Sequence, residues 1–248
     1  MAEPPITDAD RLAIRARPEG WPVMYQSWGK LLFMHWRFPA ELLRPLIPAR
    51  LTIDTFDDTA WVGVVPFTMW GIRPIFLPAL PWVSEAHELN VRTYVHLDGV
   101  PGVWFFSLDI NHLLGVWAAR LGYHLPYFLA TVSLQQQGQT IDYRLRRTHA
   151  DAPKAEFEAT WHIGEPLPPA APGTLDFFLT ERYCLYAAEG SSLYRARIWH
   201  RPYPLQQARL SAYRSTMIES HGLTAPGGEP LLHYAESVEV EVWPPARV

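Results

Sequence analysis

The chain has 248 residues, of which 48% are hydrophobic and 13% aromatic, so it can fill a sizeable core and is not disordered. Charged residues make up 19% and the formal net charge is −4, which argues against the basic surface that nucleic-acid-binding proteins need. Cys184 is the single cysteine, so an internal disulfide and a cysteine-rich zinc site are excluded.

The first 20 residues are polar and contain no apolar segment, which argues against a secretory signal and predicts a flexible N-terminal arm over residues 1–20. No apolar run reaches the roughly 20 residues that a membrane-spanning helix needs. We therefore expect a cytoplasmic protein with no membrane or nucleic-acid partner. Residues 21–248 are predicted to be a single domain, because the short segment 165–173 is the single candidate linker.

The 24 prolines divide the chain into short elements and argue against long helices. Aromatic and β-branched runs predict strands over 24–38, 60–70, 87–97, 102–110, 127–137, 140–149, 154–163, 193–203 and 231–243. Short helices are predicted after Pro39, over 111–121 between Asn111 and Gly122, and after Thr174. The fold is therefore mainly β with a few short helices, and its many antiparallel strands predict a sandwich or a barrel.

Residues 87–97 alternate in polarity with a period of two, the signature of a strand, and the pair Asp98-Gly99 predicts a tight turn into the next strand. Glu88, Asn90 and Arg92 share one face. A solvated face, a buried Glu–Arg pair and a ligand site all fit this spacing. The backbones of Glu88 and Arg92 would be about 13 Å apart, so contact needs a strand bend or a bridging group such as Asn90. If the pair is enclosed, loss of Arg92 alone should destabilise the protein by several kcal/mol.

Three further groups of side chains could carry chemistry: Ser107 with Tyr123, His124 and Tyr127; Trp28 with Lys30, His35 and Trp36; and Glu181, Arg182 and Tyr183 with His200. Tyrosine and histidine could supply hydrogen-bond donors and acid–base groups at the mouth of a cavity. The structural alternatives are packed tyrosine rings, a surface lysine and ordinary ion pairs.

No nucleophile elbow, Walker A sequence or dinucleotide-binding glycine motif occurs in the sequence. His87-Glu88 begins like a zincin motif, but Val91 stands where the second histidine is required. We predict no metal site and no cofactor; a metal site assembled from distant parts of the chain is the alternative.

A set of segments identifies a resemblance: FMHWRFPAELLRPLIPARLTIDTFDDTAWVGVVPFTM, ELNVRTYV, PGVWFFSLD, AARLGYHLPY, FLTERYCLY and HRPYPLQQA. In this order they resemble the YqjF-like family of uncharacterised proteins, which is similar to the acetoacetate decarboxylase superfamily. The resemblance extends from about residue 24 to 243. It implies a cone-like, largely antiparallel β-barrel that encloses a ligand cavity and often assembles into a homo-oligomer.

Acetoacetate decarboxylase uses a lysine of low pKa that forms a Schiff base with the substrate carbonyl. By this resemblance, Glu88 matches the cavity glutamate of the decarboxylase, whereas Trp28 stands where its cavity arginine would be. The segment 122–126, GYHLP, matches the segment that precedes the paired lysines, but it is not accompanied by a lysine. The resemblance therefore implies that the Schiff-base nucleophile is missing and that Arg92 replaces the missing positive charge.

These observations predict a small-molecule-binding, enzyme-like protein whose ligand is a small oxo acid or another carbonyl compound. Glu88 and Arg92 are the candidate catalytic residues, and the candidate substrate-binding residues are Trp28, Asn90, Ser107, Tyr123, His124 and Tyr127. Whether the protein catalyses a reaction is left open. A non-catalytic binding or sensing module and a merely packed polar core are the alternatives, and a pocket of roughly 300 Å³ at Glu88 would argue against the last. Lys30 is expected at the outer or rim surface.

Overall fold

The computed structural model describes residues 6–76, 85–112 and 122–248, which form one 13-stranded sheet with a few short helices. The strands are β1 Met24–Phe38, β2 Thr52–Ile53, β3 Ala60–Pro74, β4 Glu85–Leu97, β5 Val100–Ile110, β6 Tyr127–Gln137, β7 Thr140–Arg147, β8 Glu156–Pro166, β9 Cys184–Glu189, β10 Ser192–His200, β11 Leu205–Ser215, β12 Leu231–Val242 and β13 Ala246–Arg247. The helices are α1 Asp8–Ala13, α2 Ala40–Leu43 and α3 Leu175–Thr180, with 3-10 turns at Arg44–Leu46 and Glu219–His221. The prediction of a mainly β fold is confirmed.

The strand order across the sheet is β13-β10-β9-β5-β6-β7-β8-β11-β12-β1-β3-β4-β2, and β5 also pairs with β4 while β10 also pairs with β12. The pairings therefore form two closed circuits of hydrogen-bonded strands, and both circuits contain β4 and β5. One passes through β6, β7, β8 and β11, and the other through β9 and β10. Both circuits are completed by β12, β1 and β3, which connect back to β4. Within the described residues, β5 runs parallel to β6 and β9, and the other paired strands are antiparallel.

Strands β3 and β4 are buried on both faces over most of their length. On one face of β3 and β4, side chains such as Val64 and Val91 belong to a large core. On the other face, side chains such as Val65 and Phe67 belong to a smaller core. Strands enclosed in this way are rich in hydrophobic residues without alternation, as in the run over 60–69 of β3.

The hairpin of β4 and β5 forms as predicted. Leu97 pairs with Val100 across the turn, and both turn residues have positive φ, 51° at Asp98 and 74° at Gly99. Positive φ at both central positions defines the tight turn that matches the twist of paired strands, and glycine adopts it without strain. Farther along, Val91 lies opposite Ser107 while Arg92 lies opposite Phe105. One extra residue therefore bulges from β5, and the faces of its side chains exchange at this point.

The N-terminal segment contacts the body of the protein. Thr7 caps α1, and the buried Arg11 of this helix donates two hydrogen bonds of 2.7 Å to Asp54. Arg197 donates to the backbone oxygen of Ile14 at 2.6 Å. These contacts attach residues 8–14 to the strands, and the predicted N-terminal arm and domain bounds stay predictions.

Other predicted elements have mixed outcomes. The strands over β6, β7, β8, β10 and β12 are found close to their predicted bounds, and Thr174 caps α3 as expected. The strands β2, β9, β11 and β13 were not predicted. The helix expected over 111–121 lies almost entirely outside the described residues. In the described ranges, no helix is both long and apolar enough to cross a membrane.

Candidate functional site

A cavity of about 130 Å³ lies on the small-core side of β4. Six of the predicted site residues line it: Trp28, Glu88, Asn90, Arg92, Tyr123 and Tyr127. Other lining residues include Gln26, Phe33, Phe67, Phe105, Thr180, Arg182 and Tyr203. The volume is below the roughly 300 Å³ that ligand sites usually have, so the alternative of a packed polar core stays open. Since a water molecule takes about 30 Å³ in the liquid, the cavity suits a ligand of only a few carbon atoms.

The alternation of β4 directs its polar row into this cavity. Glu88, Asn90 and Arg92 line the cavity, while Leu89 and Val91 between them belong to the large core. The three polar residues are only 2%, 5% and 8% exposed, respectively. Of the three interpretations that fit the spacing, a solvated face is therefore excluded by the structure.

Glu88 is held by two tyrosines. The hydroxyl of Tyr127 donates to its Oε2 at 2.9 Å, and that of Tyr143 donates to its backbone oxygen at 3.0 Å. Burial raises the pKa of Glu88 to about 8, against the lowering effect of the Tyr127 hydrogen bond and with a smaller rise from the charge of Asp109. Glu88 is therefore mostly protonated at neutral pH, and a buried protonated carboxyl can act as a general acid or donate a hydrogen bond to a ligand.

Arg92 is a buried cation without a carboxylate partner among the described residues. Its Nη2 donates to the backbone oxygen of Leu179 at a long 3.4 Å, and its Nε has no partner in the described part of the chain. Its guanidinium carbon lies 5.6 Å from the ring centre of Phe33 and 5.8 Å from that of Tyr94. The Oδ1 atom of Asn90 also lacks a partner there. Buried polar groups are nearly always paired, so these unpartnered atoms are unusual and make this face of β4 the candidate site.

A direct Glu88–Arg92 pair is not found among the described residues. Each side chain reaches a different group, Tyr127 in one case and the Leu179 carbonyl in the other. Burial, and not the charge of Arg92, therefore determines the direction in which the pKa of Glu88 shifts. The buried Glu–Arg pair, one of the three interpretations of this face, does not form.

Arg182 was predicted to belong to a polar network but not to the site. This residue follows α3 and lines the cavity. Its Nε donates to the oxygen of Phe178 at 2.8 Å, and its Nη1 donates to Asp54 at 2.7 Å. Its Nη2 has no partner within the described ranges. No local signal could have assigned it, because Asp54 is 128 positions away in the sequence.

Trp28 and Tyr123 form part of the cavity wall. The indole of Trp28 donates to Gln26 at 2.6 Å and its ring lies 5.5 Å from that of Phe67. The hydroxyl of Tyr123 donates to the oxygen of Trp243 at 3.4 Å, and burial raises the pKa of Tyr123 to about 12. Both residues therefore contribute mainly shape and hydrogen-bonding groups, and Tyr123 stays protonated at neutral pH.

Ser107 and His124 do not line this cavity. The Oγ atom of Ser107 lies 3.2 Å from Nε2 of His221, because the bulge in β5 turns Ser107 to the opposite face from Phe105. His124 lies 3.4 Å from a carboxylate oxygen of Glu189 and lines a second, more open hollow. Sequence spacing could not distinguish these positions, since a bulge has no clear local signature.

No lysine is among the residues that line the cavity. The chain contains only Lys30 and Lys154. Lys30 lies on β1 and is partly exposed, whereas Lys154 is exposed. Among the described residues, no group of three or more histidine, cysteine or acidic side chains has the arrangement of a metal site.

The sequence matches one family model and one relative over most of its length. A model of the family DUF2071, described as an uncharacterized conserved protein, matches residues 25–239. The uncharacterized protein YqjF of Bacillus subtilis is 40% identical over 232 residues, which cover 92% of this chain and 93% of that protein.

Several solved structures are similar in fold. The enduracididine biosynthesis enzyme MppR complexed with pyruvate superposes with a TM-score of 0.63 at 10% identity, covering 92% of this chain and 91% of that one. Acetoacetate decarboxylase of Legionella pneumophila superposes with a TM-score of 0.59 at 11% identity, covering 100% and 98%. An acetoacetate decarboxylase-like enzyme of Sphingomonas wittichii gives a TM-score of 0.59 at 13% identity, covering 92% and 93%. At these identities the likeness shows the fold alone.

Proposed function

Because the chain belongs to the DUF2071 family, is 40% identical to YqjF and has the fold of acetoacetate decarboxylase-like enzymes, we propose that it binds a small oxo acid in the cavity beside β4. In this proposal the circuit of strand pairings is a cone-like barrel around the cavity. The protein is cytoplasmic, needs no cofactor or metal, and assembles as a homo-oligomer.

The observation that carries the proposal is the buried Arg92, which faces the cavity without a carboxylate partner among the described residues. A guanidinium binds a carboxylate through two parallel hydrogen bonds, and it stays cationic at any ordinary pH. A ligand carboxylate would supply the negative charge that the surrounding described residues do not provide for Arg92. Support also comes from MppR, a protein of the same fold whose structure holds pyruvate.

The chemistry proposed for Glu88 is that of an acid. With the ligand carboxylate on Arg92, the ligand carbonyl would lie toward Asn90 and Glu88, farther along the same face of β4. A protonated Glu88 could then donate a hydrogen bond or a proton to the carbonyl oxygen and stabilise negative charge that develops there. Because no lysine lines the cavity, this reaction would proceed without an imine.

A non-catalytic binding or sensing module is the second candidate function. The same cavity serves both, and the small volume of about 130 Å³ leaves little room for a second reactant beside the ligand. Turnover distinguishes the two functions. A panel of oxo acids should be consumed if the protein is an enzyme and should only bind if it is a module.

The proposal is tested by calorimetric titration of the parent, Arg92→Met and Arg209→Met with pyruvate, 2-oxobutanoate and acetoacetate. Arg209 is an exposed arginine on β11, so its variant is the matched control. At least one acid should bind the parent and the control, and Arg92→Met should weaken it by at least about tenfold, since hydrogen bonds to charged groups contribute about 1.5–3 kcal/mol. Equal affinity for all three proteins would refute the role of Arg92.

A further inference from the structure

We propose that the cavity selects oxo acids with a short aliphatic tail, and that this tail lies against Met69, Trp28 and Met24. The inference rests on the proposed function and narrows its substrate class, because it specifies the group that is attached to the oxo acid head. It depends on the order in which polar and apolar side chains follow one another along the cavity, which is given by the register of β1, β3 and β4.

One end of the cavity is closed and polar. Arg92 lines this end, and Thr180 and Arg182, which also line the cavity, are buried. Glu88 lies four positions nearer the start of β4, whose first residue is exposed. The polar row ends at Glu88, because the next residue on the same face is Ala86. An oxo acid head bound between Arg92 and Glu88 would fill this end and leave its tail directed toward the start of β4.

Beyond Glu88 the lining of the cavity is apolar. Phe67 lies opposite Glu88 in the pairing of β3 with β4, and Met69 follows two positions later on the same face. Trp28 of β1 lies opposite Met69. Met24 lies four positions before Trp28 on β1, lines the cavity and is half-buried. These four apolar side chains therefore form a wall that leads from the carboxyl group of Glu88 toward solvent.

The polar groups beside this wall are already paired. The indole nitrogen of Trp28 donates to Gln26 at 2.6 Å, and the amide nitrogen of Gln26 lies 3.4 Å from the sulfur of Met24. The hydroxyl of Tyr127 donates to Glu88 at 2.9 Å. A polar tail would compete with these hydrogen bonds and would lose its own hydration on entering the cavity. An aliphatic tail loses no hydrogen bond and gains free energy with each methylene that is buried.

The shape of the wall also suits a short aliphatic chain. The rings of Trp28 and Phe67 lie 5.5 Å apart and present flat apolar surfaces. The thioethers of Met24 and Met69 are flexible and fill irregular gaps around a chain. The cavity volume of about 130 Å³ equals that of about four water molecules in the liquid. Beside the oxo acid head, this volume leaves room for a short tail only.

The test varies the tail while the head stays constant. Calorimetric titration of the parent at pH 7 compares pyruvate, 2-oxobutanoate and 2-oxopentanoate, which differ by one methylene each. A buried methylene tightens binding about fourfold, so 2-oxopentanoate should bind at least about tenfold more tightly than pyruvate. 4-Hydroxy-2-oxobutanoate has a hydroxyl in place of the last methyl of 2-oxopentanoate. It should bind at least about tenfold more weakly than 2-oxopentanoate.

The variant Met69→Gln replaces a thioether of the wall by an amide of similar length. It should lower the preference for 2-oxopentanoate over pyruvate by at least about threefold, because the tail then contacts a polar group. The affinity for pyruvate, which has no long tail, should change by less than about twofold. The control is Leu42→Gln, since Leu42 is an exposed apolar residue of α2, and it should keep the full preference. Met24→Gln replaces Met69→Gln if the latter does not fold.

Each outcome has a distinct meaning. Equal affinity of the parent for the three acids of the series would overturn the inference while the proposed function stands. Equal affinity for 2-oxopentanoate and its hydroxyl analogue would do the same. Absence of binding for all four acids would overturn both the inference and the proposed function. A full preference for 2-oxopentanoate in the glutamine variant of the wall would overturn the placement of the tail against these methionines.

Discussion

Replacement of Glu88 by glutamine removes a buried ionisable group but keeps an oxygen that can accept the 2.9 Å hydrogen bond from Tyr127. Burial raises the pKa of Glu88 from an ordinary 4.5 to about 8, whereas the unfolded chain keeps the ordinary value. Between these pH values the folded state retains a proton that the unfolded state has released. The free energy of unfolding of the parent should therefore fall as the pH rises, by about 1.4 kcal/mol per unit and roughly 5 kcal/mol in all.

The glutamine variant lacks this dependence because it has no proton to lose at position 88. Urea unfolding of the parent and of Glu88→Gln at pH 5, 6, 7, 8 and 9 gives the difference between their free energies at each pH. Other ionisable groups contribute equally to both proteins and cancel in this difference. The free energy of unfolding of Glu88→Gln relative to that of the parent should rise by several kcal/mol from pH 5 to pH 8 and then level off.

The matched control is Glu85→Gln, since Glu85 lies on the same strand but is exposed. The free energies of unfolding of Glu85→Gln and the parent should differ by no more than about 0.5 kcal/mol from pH 5 to pH 9, as expected of an exposed position. A constant difference for Glu88→Gln would mean that Glu88 is ionised in the folded protein at neutral pH. That result would refute the desolvated acid and, with it, the proton-donating role.

Three further outcomes are expected. Arg92→Met should leave the free energy of unfolding unchanged or raise it by about 1–2 kcal/mol, because it removes a buried charge that has no carboxylate partner; a thermal melt that shows a loss of several kcal/mol would reveal an ion pair. Borohydride treatment with acetoacetate should leave the protein mass unchanged, and an adduct on Lys30 would contradict the imine-free mechanism. Oxo acid affinity should fall above pH 8 as Glu88 ionises near the bound carboxylate, but not in Glu88→Gln; a flat parent profile from pH 7 to 9.5 would place the ligand away from Glu88.

The local features of the site could be predicted from the sequence. Alternation over 87–97 placed Glu88, Asn90 and Arg92 on one face, and the pair Asp98-Gly99 predicted the hairpin, because both signals involve neighbouring residues. The direction of that face could not be predicted. A strand that is half solvated and a strand that is enclosed on both sides with a polar row have the same period. Only the packing of distant parts of the chain against both faces of β4 distinguishes them.

Long-range contacts and single-residue irregularities account for the other differences. Arg182 is held beside the cavity by hydrogen bonds to α3 and to Asp54. Asp54 is 128 positions away along the chain, so the spacing of neighbouring residues could not predict this contact. Ser107 faces away from the cavity because of one extra residue in β5. The expected destabilisation by loss of Arg92 assumed a pair with Glu88, and the balance of charge in the assembled cavity now predicts the opposite sign.

The enclosure of β4 on both faces also limits how this protein can misfold. A slip of β4 by one position against β3 would exchange its faces and move Glu88, Asn90 and Arg92 into the large core, where Leu89 and Val91 now lie. Polar groups left without partners there would each cost roughly several kcal/mol. The same side chains that form the binding site therefore disfavour a mispaired sheet during assembly, and a variant with an apolar row at these three positions should populate misregistered, aggregation-prone species more often than the parent.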